Sequence, residues 1–175
     1  ISEATFGLPV FRHPPTDQEI DRLMRSVADN PDRTHCIGAY SLGKAQRVIK
    51  HLRLAGHDRP IYIHGSLEKL CEVYEAAGVT LGELRPATLE DRSKAAREAF
   101  RGEIVIAPPG AFEGKWAQRF PDPVIGFASG WMSVKQRAKQ RGVELPLVIS
   151  DHADWDELTD TIREVDPQDL WITYG

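Results

Sequence analysis

Leu145-Pro146-Leu147-Val148-Ile149-Ser150-Asp151-His152-Ala153-Asp154-Trp155 runs from a short apolar segment into the start of a helix, and the architecture follows from it. Leu145 to Ile149 has the length and composition of a strand covered on both faces. Asp151 and Asp154, in an Asp-x-x-Asp pattern, set acids beside the exposed N–H groups of the helix that follows. His152 therefore emerges where a strand ends and a helix begins, the edge of an open α/β sheet at which ligands bind. Taken alone, the hexapeptide from Ser150 reads more often as a helix cap with a solvated neighbour than as a catalytic pair.

Outward from this stretch, helix signals and short apolar runs alternate. Thr16-Asp17-Gln18-Glu19 has the form of a capping box, followed by Ile20, Leu23, Met24 and Val27 at helical spacing until Asn30-Pro31. His35 to Ser41 reads as a strand and Leu42 to Leu54 as a basic helix ended by Gly56. Pro60 to His64 reads as a strand, and Ser66 as the cap of a helix that ends at Gly78. Leu89 to Phe100 has the pattern of an exposed charged helix, Glu103 to Ala107 of a strand closed by Pro108-Pro109-Gly110, and Lys115 to Phe120 of a short helix. Val124 to Ala128 completes the strands before Ser129-Gly130-Trp131-Met132, and Leu170 to Thr173 has the pattern of a buried strand near the end. The order implies an α/β fold, a three-layer sandwich around a mostly parallel sheet.

The 175 residues suit one ordinary α/β domain. The hydrophobic fraction of 41% and charged fraction of 27% are those of a soluble globular protein. No apolar stretch approaches the roughly 20 residues that span a bilayer, and no signal peptide is present, so a cytoplasmic protein without membrane partners is expected. Cys36 and Cys71 sit in apolar sequence and read as small core residues. A net charge of −4 argues against a dedicated basic clamp for nucleic acid, though not against a nucleic-acid enzyme whose metal ions supply positive charge. Ile1 and Gly175 both look cut through a fold, and the expectation is a fragment of a longer polypeptide, or else native ends lying close by.

Several polar turns follow expected strands. Glu3-Ala4-Thr5-Phe6-Gly7, Ser41-Leu42-Gly43-Lys44-Ala45-Gln46, His64-Gly65-Ser66, Ser129-Gly130 and Asp151-His152 would all gather at the ligand edge. A glycine and a hydroxyl at a helix start suit a phosphate, with Lys44 adding charge, although plain capping is the commoner meaning of each turn. Lys135, Arg137, Lys139 and Arg141 alternate, so on a strand they would share one face and track a phosphate backbone; a solvated charged hairpin fits the pattern as well. No G-x-G-x-x-G opens a helix after the first strand, and G-x-x-x-x-G-K-[ST], G-x-S-x-G, H-x-H-x-D-H and H-E-x-x-H are missing, which disfavours a nucleotide-cofactor enzyme.

Taken in order, the Glu3, Ser41, Tyr62-Ile63-His64-Gly65, Ile106-Ala107-Pro108-Pro109-Gly110, Phe127-Ala128-Ser129-Gly130-Trp131-Met132 and Ser150-Asp151-His152 segments resemble the β-CASP nucleases of the metallo-β-lactamase superfamily. The bacterial ligase-associated DNA exonuclease branch, also described as similar to messenger-RNA 3′-end processing factors, is the nearest likeness. The resemblance implies a β-CASP-like α/β domain over residues 1–145 and a return segment toward the metallo-β-lactamase domain over 146–175. Glu3 would occupy the first family motif and His152, with Asp151 beside it, the second. A carboxylate orients and charges an imidazole so that it can protonate the leaving oxygen of a phosphodiester. Ser41, Lys44, Gln46, His64, Ser129 and Gly130 would contact substrate.

The resemblance further implies two zinc ions in the intact protein, held chiefly by upstream motifs that this chain lacks, so the segment alone would be inactive and hold no metal. Tyr174 stands where the family commonly has a zinc-ligating histidine, and a phenol with a pKa near 10 is a poor zinc ligand. Nucleic acid is the expected substrate, DNA ahead of RNA, with a functional association with a DNA ligase and a helicase. The competing expectation is a non-catalytic α/β binding or interaction module whose turns only cap helices.

Overall fold

The computed structural model describes residues 1–88 and 93–174. In chain order the elements are β1 (Ser2–Glu3), α1 (Thr16–Asp29), β2 (His35–Gly38), α2 (Lys44–Leu54), β3 (Ile61–Ile63), α3 (Gly65–Ala76), β4 (Leu84–Pro86) and α4 (Lys94–Glu98). They continue with β5 (Ile104–Ala107), α5 (Pro109–Phe112), β6 (Val124–Ala128), α6 (Lys135–Gln140), β7 (Leu145–Leu147), α7 (Trp155–Val165) and β8 (Ile172–Thr173). Six strands form one sheet in the order β4-β3-β5-β2-β6-β7, and every pairing in it is parallel.

Alternation along these strands divides their side chains between two layers. Ile37, Ile61, Ile63, Ile104 and Ile106 pack on one side against Ile20 and Leu23 of α1, Val48, Ile49 and Leu52 of α2, and Leu67 of α3. Cys36 and Val105 face the other way, beneath Phe100 and Phe120, with Tyr62, Ile125 and Trp116 partly buried around them. The chain is thus an α/β three-layer sandwich. The glycines that end α2 and α3 do so at positive φ, 86° at Gly56 and 87° at Gly78, where a Cβ would be strained.

Several local expectations are corrected by tertiary contacts. The side chain of Thr16 caps nothing: α1 begins at Thr16 after Pro15, and the Thr16 hydroxyl accepts from Arg47 instead. Glu19, buried, accepts from the backbone N–H of Val148 at 2.8 Å, satisfying a donor just past edge strand β7, and pairs with Arg22 at 2.7 Å. The cap of α3 is His64, whose Nδ1 accepts from the N–H of Ser66 at 3.1 Å. Lys135 to Arg141 is not a strand; its cations lie on and just after helix α6, where Ala138 is buried in the cluster around Met132 and the N–H groups of Arg137 and Ala138 bond back to the carbonyl of Val134. The short helix expected from Lys115 is a 3₁₀ turn over Ala117–Arg119. The charged helix expected from Leu89 survives as α4, capped by the hydroxyl of Ser93, while residues 89–92 lie outside the described residues.

Leu170 to Thr173 is likewise not buried. Trp171 is 70% and Ile172 59% exposed. This segment supplies β8, which pairs in parallel with β1 and lies outside the six-stranded sheet. No helix among the described residues is long and apolar enough to cross a membrane.

Buried imidazoles give the fold a pH dependence. His35 is fully buried, with Nε2 on the hydroxyl of Ser26 at 2.9 Å; His57 is buried, and among the described residues neither His35 Nδ1 nor His57 Nε2 has a hydrogen-bond partner. Burial, with Arg33 near His35 and Arg53 near His57, pushes both below the usual histidine range. Each then binds fewer protons folded than unfolded, so its contribution is complete above the unfolded pKa of about 6.5 and is lost as pH falls below it. The unfolding midpoint should therefore drop between pH 7.5 and 5.5; a midpoint that holds or rises on acidification contradicts this account.

Candidate active site

Glu3 ends β1, and its neighbours turn sharply: the N–H of Gly7 bonds to the carbonyl of Ala4 at 2.9 Å. Within this turn the N–H of Thr5 donates to Glu3 Oε1 at 2.6 Å, leaving Oε2 free to reach His152. His152 comes from the loop after β7, fixed by a reciprocal pair in which its N–H donates to the hydroxyl of Ser150 and that hydroxyl to its carbonyl. Glu3 Oε2 and His152 Nδ1 stand 3.1 Å apart, both partly exposed. Burial alone would raise the Glu3 carboxyl; hydrogen bonds from Thr5 and His152 outweigh it and hold the group below its ordinary value. With Nδ1 engaged on a carboxylate, Nε2 is the ring atom left for a reacting partner.

Asp154 holds the frame around this pair. It caps α7 by accepting from the N–H of Glu157 at 3.0 Å, while Glu157 reaches back to the N–H of Asp154. Its second oxygen accepts from the N–H of His13 at 2.7 Å, tying the long segment before α1 to the start of α7. Phe6, 1% exposed, fills the space beneath: its ring lies 4.6 Å from His13, 5.0 Å from Trp131 and 6.2 Å from His152. His152 opens onto a cleft of about 800 Å³, with Arg47 and Thr16 on one side and Asp156, Asp160 and Glu164 of α7 on the other.

The remaining sequence candidates separate into two places. Lys44, only 3% exposed, points its Nζ at Asp151 Oδ2 at 3.3 Å and lies over the ring of Tyr40, so the β2 and β7 turns meet at an ion pair beside His152. Ser129 caps the turn after β6 through the N–H of Trp131, and Gly130 packs against Phe6. Gln46 is buried and builds the Ser41 turn from within: its carbonyl accepts from the N–H of Gly43 and its amide donates to the carbonyl of Ser41 at 3.0 Å. His64 stands apart, beyond β5 from β2, with its ring 5.0 Å from Trp116. Tyr174 is 87% exposed at a φ of 55°.

His13, Asp154, Phe6 and Trp131 were not legible as one unit, since nothing in local periodicity links residues so distant in sequence. The glycine at Gly130 was the available signal, marking a close approach whose partner the sequence does not name. Among the described residues no group of three or more histidine, cysteine, aspartate and glutamate side chains could hold a metal ion. Glu3 and His152 by themselves fall short of a zinc donor set.

No family model matches the chain. It is similar, at 28% identity over 179 residues, to a protein named "Probable DNA ligase" from Opitutus terrae, a match that covers 100% of this chain and 16% of that protein. Its fold is similar to the crystal structure of a protein of unknown function from Enterococcus faecalis V583, with a TM-score of 0.56 and 12% identity over 100% of this chain and 45% of that one. The class so defined is a parallel α/β sandwich with a carboxylate–imidazole pair at its edge. This chain is similar in sequence to a short stretch of a much longer protein.

Two substitutions test the frame. A Cβ at Gly130 would lie 2.5 Å from Cζ of Phe6 and 3.0 Å from Cε1 of His13, so Gly130→Ala should destabilise by about 1–3 kcal/mol as the ring is displaced. Asp154→Ala, losing the helix cap, should cost about 1–2 kcal/mol. Urea denaturation checks both, and wild-type midpoints would show that neither contact carries weight.

Proposed function

We propose that this chain is the β-CASP-like part of a metal-dependent nuclease that hydrolyses phosphodiester bonds, DNA ahead of RNA, in DNA repair. The observation that carries this reading is the 3.1 Å approach of Glu3 to His152 from opposite ends of the chain. The ordered turns at the sheet edge support it, as does similarity to a protein named "Probable DNA ligase". The two zinc ions of such an enzyme are assigned to residues of the intact protein other than these, since the donor set here does not fit them. Association with a DNA ligase and a helicase belongs to the same proposal.

In this mechanism Glu3 accepts from His152 Nδ1 and keeps the ring in one orientation. As an oxygen nucleophile derived from water attacks phosphorus, the P–O bond breaks and the leaving oxygen takes the proton from Nε2. Lys44 holds Asp151 against the turn that carries His152. The Ser41 turn and the Ser129-Gly130 turn, next to it on the sheet edge, position the phosphates on either side.

In the full-length protein, His152→Ala should slow cleavage by roughly 10² to 10⁴-fold with nucleic-acid affinity and metal content nearly unchanged. Glu3→Gln should cause a smaller loss, because the amide keeps a hydrogen bond to the ring but removes the carboxylate that orients it. Turnover per folded molecule decides the matter. Wild-type turnover from a folded His152→Ala protein would leave a non-catalytic α/β binding module.

A further inference from the structure

We infer that α6, the residue after it and the Trp131 turn before it form a binding track for single-stranded DNA leading away from the Glu3–His152 pair. This rests on the nuclease reading for its direction but not for its existence. Lys135, Arg137, Lys139 and Arg141 are all exposed, and among the described residues none has a carboxylate within 4.0 Å. Arg12, Arg85 and Arg163 are exposed and paired with carboxylates, whereas Arg25, Arg47, Lys69 and Lys115 are exposed and, like the four of this segment, in no ion pair among the described residues, so it is the density of such cations that sets the segment apart. Four unneutralised cations within seven residues therefore make a local site for a polyanion.

Rings set the form of that polyanion. Arg137 lies over the indole of Trp131 at 3.9 Å and Arg141 over the ring of Phe127 at 5.4 Å. A guanidinium held on an aromatic ring presents its other face as a stacking surface, which an unstacked base can use and a base inside a duplex cannot. Residues four apart share a helix side, so Arg137 and Arg141 follow the rings while Lys135 and Lys139 lie toward the opposite side, available for phosphates. Trp131 reaches Phe6 at 5.0 Å and Phe6 reaches His152 at 6.2 Å, so the track starts a few nucleotides from the proposed proton donor. The α7 wall of the cleft carries Asp156, Asp160 and Glu164, which repel a phosphate chain.

The test is fluorescence anisotropy of a labelled oligo-dT of about 20 nucleotides with the full-length protein in EDTA, which silences cleavage, across a salt series. Lys135→Glu/Lys139→Glu/Arg141→Glu alters only exposed side chains; it should weaken binding at least about 10-fold and flatten the slope of log K against log salt by about 2. Arg137→Lys keeps the charge and loses the planar surface, so it should weaken binding about 5-fold with the slope unchanged. Wild-type affinity and slope in the triple variant would overturn the assignment. So would tighter binding of a duplex of the same length, or of poly-glutamate, than of oligo-dT. Because binding is read without cleavage, wild-type turnover in His152→Ala would remove the proton-donor reading and leave this result unaffected.

Discussion

Parallel strands cannot be joined by tight turns; each must be reached by a crossover that returns the chain to the same starting edge. In this protein that constraint organises everything else. Helices are laid on both faces of the sheet, which is why the central strands carry isoleucine on one side and cysteine, valine and tyrosine on the other. It also delivers the carboxyl ends of all six strands to one edge. The turns after β2, β6 and β7 meet there, and the polar side chains between them are neighbours because the strands are.

The candidate pair depends on a second, smaller arrangement. Glu3 belongs to none of the six strands; it arrives on β1, which among the described residues pairs only with β8. What brings it against His152 is the segment from Phe6 to His13, pinned at one end by Asp154 and filled beneath by aromatic rings. Asp154 is held below its ordinary pKa because hydrogen bonds from Glu157 and His13 outweigh the opposing effect of burial, so it remains an acceptor well into the acid range. A helix cap and a site scaffold are in this case the same carboxylate. The two meanings weighed for the Asp151–Asp154 stretch are therefore not exclusive.

Charge is distributed unevenly around that pair. The α7 wall of the cleft is acidic, whereas α6 is cationic and in no ion pair among the described residues. A net charge of −4 hides this polarity, since a sum over the chain says nothing about where the charges stand. An anionic chain approaching His152 meets repulsion along the α7 wall of the cleft.

The parallel sandwich was legible in the sequence because apolar runs and capped helices alternate, and because strands covered on both faces are apolar throughout. The proximity of Glu3 and His152 was legible only through an ordered set of turns, not through local spacing. Capping by Thr16 and Ser66 failed as an expectation because a side chain that can cap will instead satisfy a stronger tertiary donor or be pre-empted by a neighbour, as Arg47 and His64 do. The alternating cations were legible as a charged block but not as a helix: a period of two describes a strand only where one face is buried, and in that segment Ala138 is buried while the N–H groups of Arg137 and Ala138 bond back to the carbonyl of Val134. Local chemistry, read along the chain, determined which elements form and where each ends. Packing alone decided which of their ends touch, since contacts between residues far apart in sequence are set by the layers that bury them.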